Sequence, residues 1–174
     1  MRKIVLFIAM SLDGYIADKY GKVDWLCGQN KEEETSYSIF IKDIDTVIMG
    51  WNTYHQIITE LSPTEWAYKG LTSYIITHRD LTSTDEIIVT NKNPCDIVNE
   101  LKQKDGKGIW ICGGASIVHQ LIEADLIDEY YISVIPIILG SGIRLFGETE
   151  KELRLNLVRT QMYNGIVDLV YTRR

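Results

Sequence analysis

Two short stretches end an apolar run in glycine and begin a helical pattern at once: "VIMGWNTY" (47–54) and "IWICGGASIVHQL" (109–121). Glycine at such a junction permits dihedrals that other residues avoid and lets another group approach the backbone. A helix start offers unpaired amides and the positive end of its dipole, and both favour an anion. Asn52 and Thr53 follow Gly50 and Trp51 in the first stretch; Ala115, Ser116 and Ile117 follow Gly113 and Gly114 in the second. Either alone reads more readily as a plain turn. Two on one sheet would grip the two phosphates of a dinucleotide from opposite sides. A third strand end, "SYIITHRDL", supplies Thr77, His78 and Arg79. These suit the ribose 2′-phosphate that separates NADPH from NADH, with a solvated loop charge as the alternative. The fingerprint GxGxxG is absent, and no acidic residue ends a strand at the distance it requires, which disfavours an ordinary Rossmann dehydrogenase.

Positioning these turns requires alternating strands and helices. "KIVLFIAM", "DTVIMG", "SYIITH", "EIIVT" and "GIWICG" read as strands rich in β-branched residues. Tyr37, Phe40, Ile41 and Ile44 repeat at helical spacing, as do Tyr54, Ile57, Ile58 and Leu61, and then Ile117, Val118, Leu121 and Ile122. "NPCDIVNELKQKDGKG" carries a cap in Asn93, Pro94 at the first position, Asp96 in the first turn, Lys102 and Lys104 near the end, and Gly106 to stop it. "IDEYYISVIPIIL" is a long strand candidate, and the last 22 residues read as a hairpin turning at Asn164-Gly165. The pattern predicts one α/β domain over residues 1–174, with a mostly parallel central sheet, an antiparallel C-terminal hairpin and helices on both faces.

Bulk properties narrow the partners. A net charge of −6 with no basic cluster argues against nucleic acid. No apolar run approaches a membrane span, and the short run before Asp13-Gly14 reads as a first strand rather than a signal peptide. Cys27, Cys95 and Cys112 form neither a disulfide framework nor a zinc signature, and His55, His78 and His119 are far apart, so no metal site and a reducing cytoplasm are expected.

Six pieces in order, "AMSLDGYIA", "GKVDWL", "VIMGWNTY", "YIITHR", "IWICGGASIVHQL" and "VIPIILGSGIRLF", resemble the dihydrofolate reductase superfamily, in particular the reductase domain of bifunctional riboflavin-biosynthesis enzymes. The resemblance implies that superfamily's three-layer fold and NADPH-dependent hydride transfer to a pyrimidine- or pterin-like heterocycle. A ribosylaminouracil is the family's substrate, with dihydrofolate reduction, or NADPH binding without turnover, as alternatives. It assigns the cofactor phosphates to Gly50, Trp51, Asn52, Thr53, Gly113, Gly114, Ala115, Ser116 and Ile117, and the adenosine phosphate to Thr77, His78 and Arg79. The nicotinamide would border the Ala9 backbone and the Ile16 side chain. The resemblance further implies a cis peptide at Gly113–Gly114 and a homodimer. Two departures stand out. Trp51 replaces the arginine that often follows "MG", which shifts 2′-phosphate recognition towards Arg79. The Trp-x-x-Pro-x-Asp-like stretch that carries the pterin-gripping carboxylate is missing from "DWLCGQNKEEETSY".

Hydride transfer to a carbonyl or imine also needs a proton on the heteroatom. Glu33, four residues before Tyr37, falls on the inner face of that helix and would overlook the cleft; a solvated first turn is the other reading of "KEEE". Asp24 is a second candidate, with Trp25 beside it to meet substrate. Asp13, beside Gly14, reads as a turn residue. Gly140, Ser141 and Gly142 would either offer amides to a substrate phosphate or form a plain glycine-rich turn.

Overall fold

The computed structural model describes residues 1–26 and 36–174. Its main sheet has eight strands: β1 (Ile4–Ser11), β3 (Ile44–Gly50), β4 (Thr72–Ile76), β5 (Ile87–Thr90), β6 (Gly108–Gly113), β7 (Glu129–Ile135), β9 (Leu155–Tyr163) and β10 (Ile166–Arg173). They lie in the order β5-β4-β3-β6-β1-β7-β10-β9. Neighbours from β5 through to β7 run parallel, and β10 and β9 close the sheet antiparallel. Two short strands, β2 (Tyr15–Ala17) and β8 (Ile143–Arg144), pair separately.

Helices cover both faces. α3 (Pro94–Lys102) and α4 (Ala115–Glu123) pack on the face carrying Ile4, Leu6, Ile48, Ile109 and Ile111. α1 (Ser36–Phe40) and α2 (Trp51–Gln56) lie on the other, against Val47, Met49, Ile75 and Trp110 and an aromatic cluster centred on Phe7 and Phe40. This is the three-layer arrangement expected from the sequence. The hairpin turns at Asn164 and Gly165, both at positive φ, as a type I′ turn requires. The Gly113–Gly114 peptide is cis, as the family resemblance implied. No helix among the described residues is long and apolar enough to cross a membrane.

Three element boundaries differ from expectation, each for a local reason. The helix expected to run through Ile44 ends at Phe40, followed by a 3-10 turn over Ile41–Asp43, and Ile44 opens β3 with its side chain buried. The stripe from Tyr54 to Leu61 crosses a π turn at Ile57–Leu61; the extra residue per turn rotates Leu61 outwards, so Ile57 is buried while Leu61 is exposed. The long strand expected over 127–139 stops at Ile135, because Pro136 has no N–H to donate to a ladder.

Ile48 is fully buried between β4 and β6 in the face covered by α3 and α4. Ile48→Ala is expected to lower the urea-derived unfolding free energy by roughly 2–5 kcal/mol, the range for a large aliphatic truncated in a closed core. A loss below about 1 kcal/mol would contradict the core assignment.

Candidate functional site

β3 and β6 are parallel neighbours with Met49 opposite Gly113, so their carboxyl ends lie side by side. Each runs directly into a helix: Gly50 is the N-cap of α2, and Gly114 is the N-cap of α4. The two turns touch. A methyl group on Gly50 would lie 3.3 Å from Ile117 Cδ1 and 3.8 Å from the Gly114 nitrogen. A methyl group on either Gly113 or Gly114 would lie 3.6 Å from Thr53 Oγ1. The glycines thus leave bare backbone where α2 and α4 begin, with the Thr53 hydroxyl between them.

Neither helix start is capped by a side chain, so Asn52 and Thr53 stand in the first turn of α2 without capping it. The contrast is α3, away from this edge, where the Asn93 side chain accepts from the Cys95 amide at 2.8 Å. In α4 the first intrahelical bonds come from Ile117 and Val118 to the Gly114 carbonyl, so the amides of Ala115 and Ser116 precede the ladder. Two uncapped starts on adjacent strands concentrate unpaired amides and dipole charge at one point, the electrostatic requirement for a diphosphate. The cradle that a Cβ would fill fits the pyrophosphate of a nicotinamide dinucleotide.

The end of β4 completes this edge. Gly50 pairs with Ile76, which places Thr77 next to the α2 start. Thr77 is buried, and its Oγ1 accepts from the Arg79 amide at 3.1 Å. That turn carries the Arg79 guanidinium over the Trp51 ring, 4.7 Å from its centroid, and the His55 ring lies beside Trp51 with centroids 5.1 Å apart. His78 and Arg79 are exposed. The Trp51 ring is therefore a platform that holds the cation beside the helix start, while the Trp51 amide opens α2.

Ala9 lies on β1 opposite Ser133 of β7, and Ile16, half-buried on β2, packs at the border of the main core. The β1–β2 connection is clasped to the segment after β7 by Asp13. Its Oδ1 accepts from the Ser11 hydroxyl at 2.6 Å and the Leu139 amide at 3.1 Å, and its Oδ2 accepts from the Gly140 amide at 2.7 Å. Ser11 Oγ in turn accepts from the Tyr15 amide at 2.9 Å. Asp13 is the turn residue expected from the sequence, in a turn closed by the Gly14 amide on the Ser11 carbonyl at 2.9 Å, and it is also a cross-link between two loops, a role visible only once the "LGSG" segment is beside it. The Gly140 amide is engaged by this clasp, and Gly142, at φ +147, has no room for a side chain, because a Cβ there would run into the Ala17 carbonyl oxygen; Ser141 between them is exposed. Asp24 is exposed on a 3-10 turn, where Trp25 Nε1 donates to the Lys22 carbonyl at 3.3 Å. Glu33 lies outside the described residues.

Residues 2–167 match the family described as the RibD C-terminal domain. The chain belongs to that family. It is 41% identical over 99% of its length to YwjB of Bacillus subtilis, an uncharacterised protein, of which it covers 98%. Among solved structures, a Shewanella sp. PV-4 protein provisionally assigned to riboflavin biosynthesis superposes with a TM-score of 0.86 at 30% identity, covering 99% of both chains. The Thermotoga maritima diaminohydroxyphosphoribosylaminopyrimidine deaminase/5-amino-6-(5-phosphoribosylamino)uracil reductase superposes with a TM-score of 0.75 at 14% identity; this RibD-family chain is covered over 99% of its length and spans 57% of the Thermotoga protein. Enterococcus faecalis dihydrofolate reductase, solved with NADP(H), gives a TM-score of 0.71 at 18% identity, with 98% of this chain and 96% of that one covered. The last two establish the shared fold.

The Asp13 carboxyl is held below its ordinary range by the Ser11 hydroxyl first and then by the Gly140 and Leu139 amides, against an opposing effect of burial. A folded-state pKa below the unfolded one contributes stability that is complete above the unfolded value, about 3.9, and disappears as pH falls through the folded value. Asp13→Asn is therefore expected to lower Tm at neutral pH, and the gap from the parent should close as pH drops below about 4. A gap that stays constant across that range would contradict the clasp.

Proposed function

We propose that this RibD-family domain is an NADPH-dependent reductase acting on a pyrimidine-like heterocycle, with a phosphoribosylaminouracil as its substrate. The observation that carries the cofactor reading is the meeting of two uncapped helix starts at Gly50 and Gly113–Gly114. The amides of α2 and α4, with Thr53, would hold the pyrophosphate. Arg79, presented by the Thr77 turn and steadied on Trp51, would hold the 2′-phosphate. Ala9 backbone and Ile16 would border the nicotinamide and exclude water from it.

Bound there, NADPH supplies a hydride. The substrate reading draws on family membership and on the reductase half of the Thermotoga protein's name. In a ribosylamine, the ring-opened form carries a carbon–nitrogen double bond at the sugar's first carbon. Hydride on that carbon and a proton on the nitrogen give the ribitylamine, with the nicotinamide oxidised. This chain's task is to hold the imine carbon over the nicotinamide and to admit one proton donor, water or a carboxyl group.

The direct test follows loss of the reduced-nicotinamide absorbance with NADPH and 5-amino-6-(5-phosphoribosylamino)uracil, with dihydrofolate as the comparison. Turnover of the aminouracil is expected. NADPH binding with no turnover of any carbonyl or imine compound would defeat the reductase proposal. Arg79→Ala should reduce the preference for NADPH over NADH by roughly tenfold or more, the scale of a lost charge-assisted contact. Thr53→Val should weaken both nucleotides alike, by about five- to tenfold, because the pyrophosphate is common to them. An unchanged NADPH preference in Arg79→Ala would remove its assigned role.

A further inference from the structure

Asp168, on β10, is fully buried, one residue past the part of the chain that matches the family. Its Oδ1 accepts from the Ser133 hydroxyl at 2.6 Å and from the Tyr163 hydroxyl at 3.4 Å. Its Oδ2 has no hydrogen-bond partner among the described residues. None of the ion pairs among the described residues involves it. A buried carboxylate oxygen without a donor is costly enough to require a reason. Structure alone does not supply one: an asparagine or serine at this position would satisfy Ser133 without placing a charge in the interior.

The strand register does supply one. Ala9 pairs with Ser133, and Ser133 pairs with Asp168, so the three stand in one row across β1, β7 and β10. Residues paired across a sheet project to the same face, and two strand spacings put Asp168 roughly 10 Å from Ala9. The next row on that face, Phe7, Tyr131 and Val170, packs under Phe40 of α1. Ser36, at the start of α1, touches the Tyr163 hydroxyl at 3.3 Å. Asp168 therefore sits beneath the α1 start, about one heterocycle's length from where the nicotinamide would border Ala9.

We propose that Asp168 is the substrate anchor of this domain, its free carboxylate oxygen accepting the N–H groups along one edge of an aminopyrimidine ring. The inference rests on the reductase reading for the place of the nicotinamide. Ser133 fixes the carboxylate's orientation through the short bond, and the two longer contacts, Ser36 to Tyr163 and Tyr163 to Asp168, are those a ligand parts on entry. A carboxylate also decides which end of the substrate enters: N–H donors are drawn in, and a phosphate is kept away. The residue thereby takes the place of the pterin-gripping carboxylate that "DWLCGQNKEEETSY" lacks, from a different strand of the fold.

The test measures binding of two uncharged probes by calorimetry, with and without NADPH: 5,6-diaminouracil, which presents N–H donors, and 1,3-dimethyluracil, which has none. The parent protein should prefer 5,6-diaminouracil, and Asp168→Asn should erase about tenfold or more of that preference, while NADPH affinity stays within about twofold. Ser133→Ala, which removes the orienting donor, should weaken 5,6-diaminouracil binding by about threefold or more and keeps the test open if the first variant folds poorly. Failure of the parent to bind 5,6-diaminouracil, or the same preference in parent and Asp168→Asn, would overturn the proposal. Absence of NADPH binding alongside an Asp168-dependent preference would instead defeat the reductase reading and leave the anchor standing.

Discussion

The parallel pairing of β3 with β6 places two chain reversals against each other, and the rest of the site is arranged around that contact. Met49 opposite Gly113 sets the register, and Ile117 of one helix lies against Gly50 at the head of the other. α2 and α4 then diverge to opposite faces of the sheet, yet their N-terminal ends share one point. A Cβ on Gly50 would press on Ile117 Cδ1 at 3.3 Å, and one on Gly113 or Gly114 would stand in ordinary contact with Thr53 Oγ1 at 3.6 Å and fill the space beside it. Gly113, at φ +130, holds a backbone conformation that favours glycine, and the bare backbone at Gly50 and Gly114 leaves that space open.

Neighbouring features extend this contact along the edge and across one face. The Thr77 turn brings Arg79 onto Trp51, a cation–aromatic contact of the kind worth about 0.5–2 kcal/mol. Because Trp51 is itself the first residue of α2, the cation is tied to the helix start rather than to a separate loop. At the other end of the cleft, Asp13 joins the β1–β2 connection to the segment after β7. The main-chain bond from Leu12 to the Ile137 carbonyl, at 2.8 Å, runs beside it. Ala9 lies on β1 two residues before Ser11, where this clasp begins, and pairs with Ser133 of β7.

Much of this was legible in the sequence because it depends on local patterns. Glycine followed by a helical stripe marked both helix starts; Asn93-Pro94 marked the start of α3; Asn164-Gly165 marked the hairpin. The failures occurred where one pattern runs into another. Ile44 continues the spacing of Tyr37 and Phe40 but belongs to a strand, and a π turn shifts Leu61 off the face that Ile57 occupies. Long-range pairing was invisible. Nothing in "SLDG" indicates that its aspartate meets the amides of Leu139 and Gly140. Asp168 did leave a trace: it shares the alternation of Ile166 and Val170, both buried, so its position in "GIVDLVY" placed a carboxylate on an inward face.

One diphosphate is expected to lie between the starts of α2 and α4. A crystal structure of the NADPH complex tests it most directly. Pyrophosphate oxygens should sit on the amides after Gly50 and Gly114, beside the Thr53 hydroxyl, with the nicotinamide over Ala9. Nucleotide bound elsewhere on the molecule, or a pyrophosphate held by side chains away from both helix starts, would contradict it.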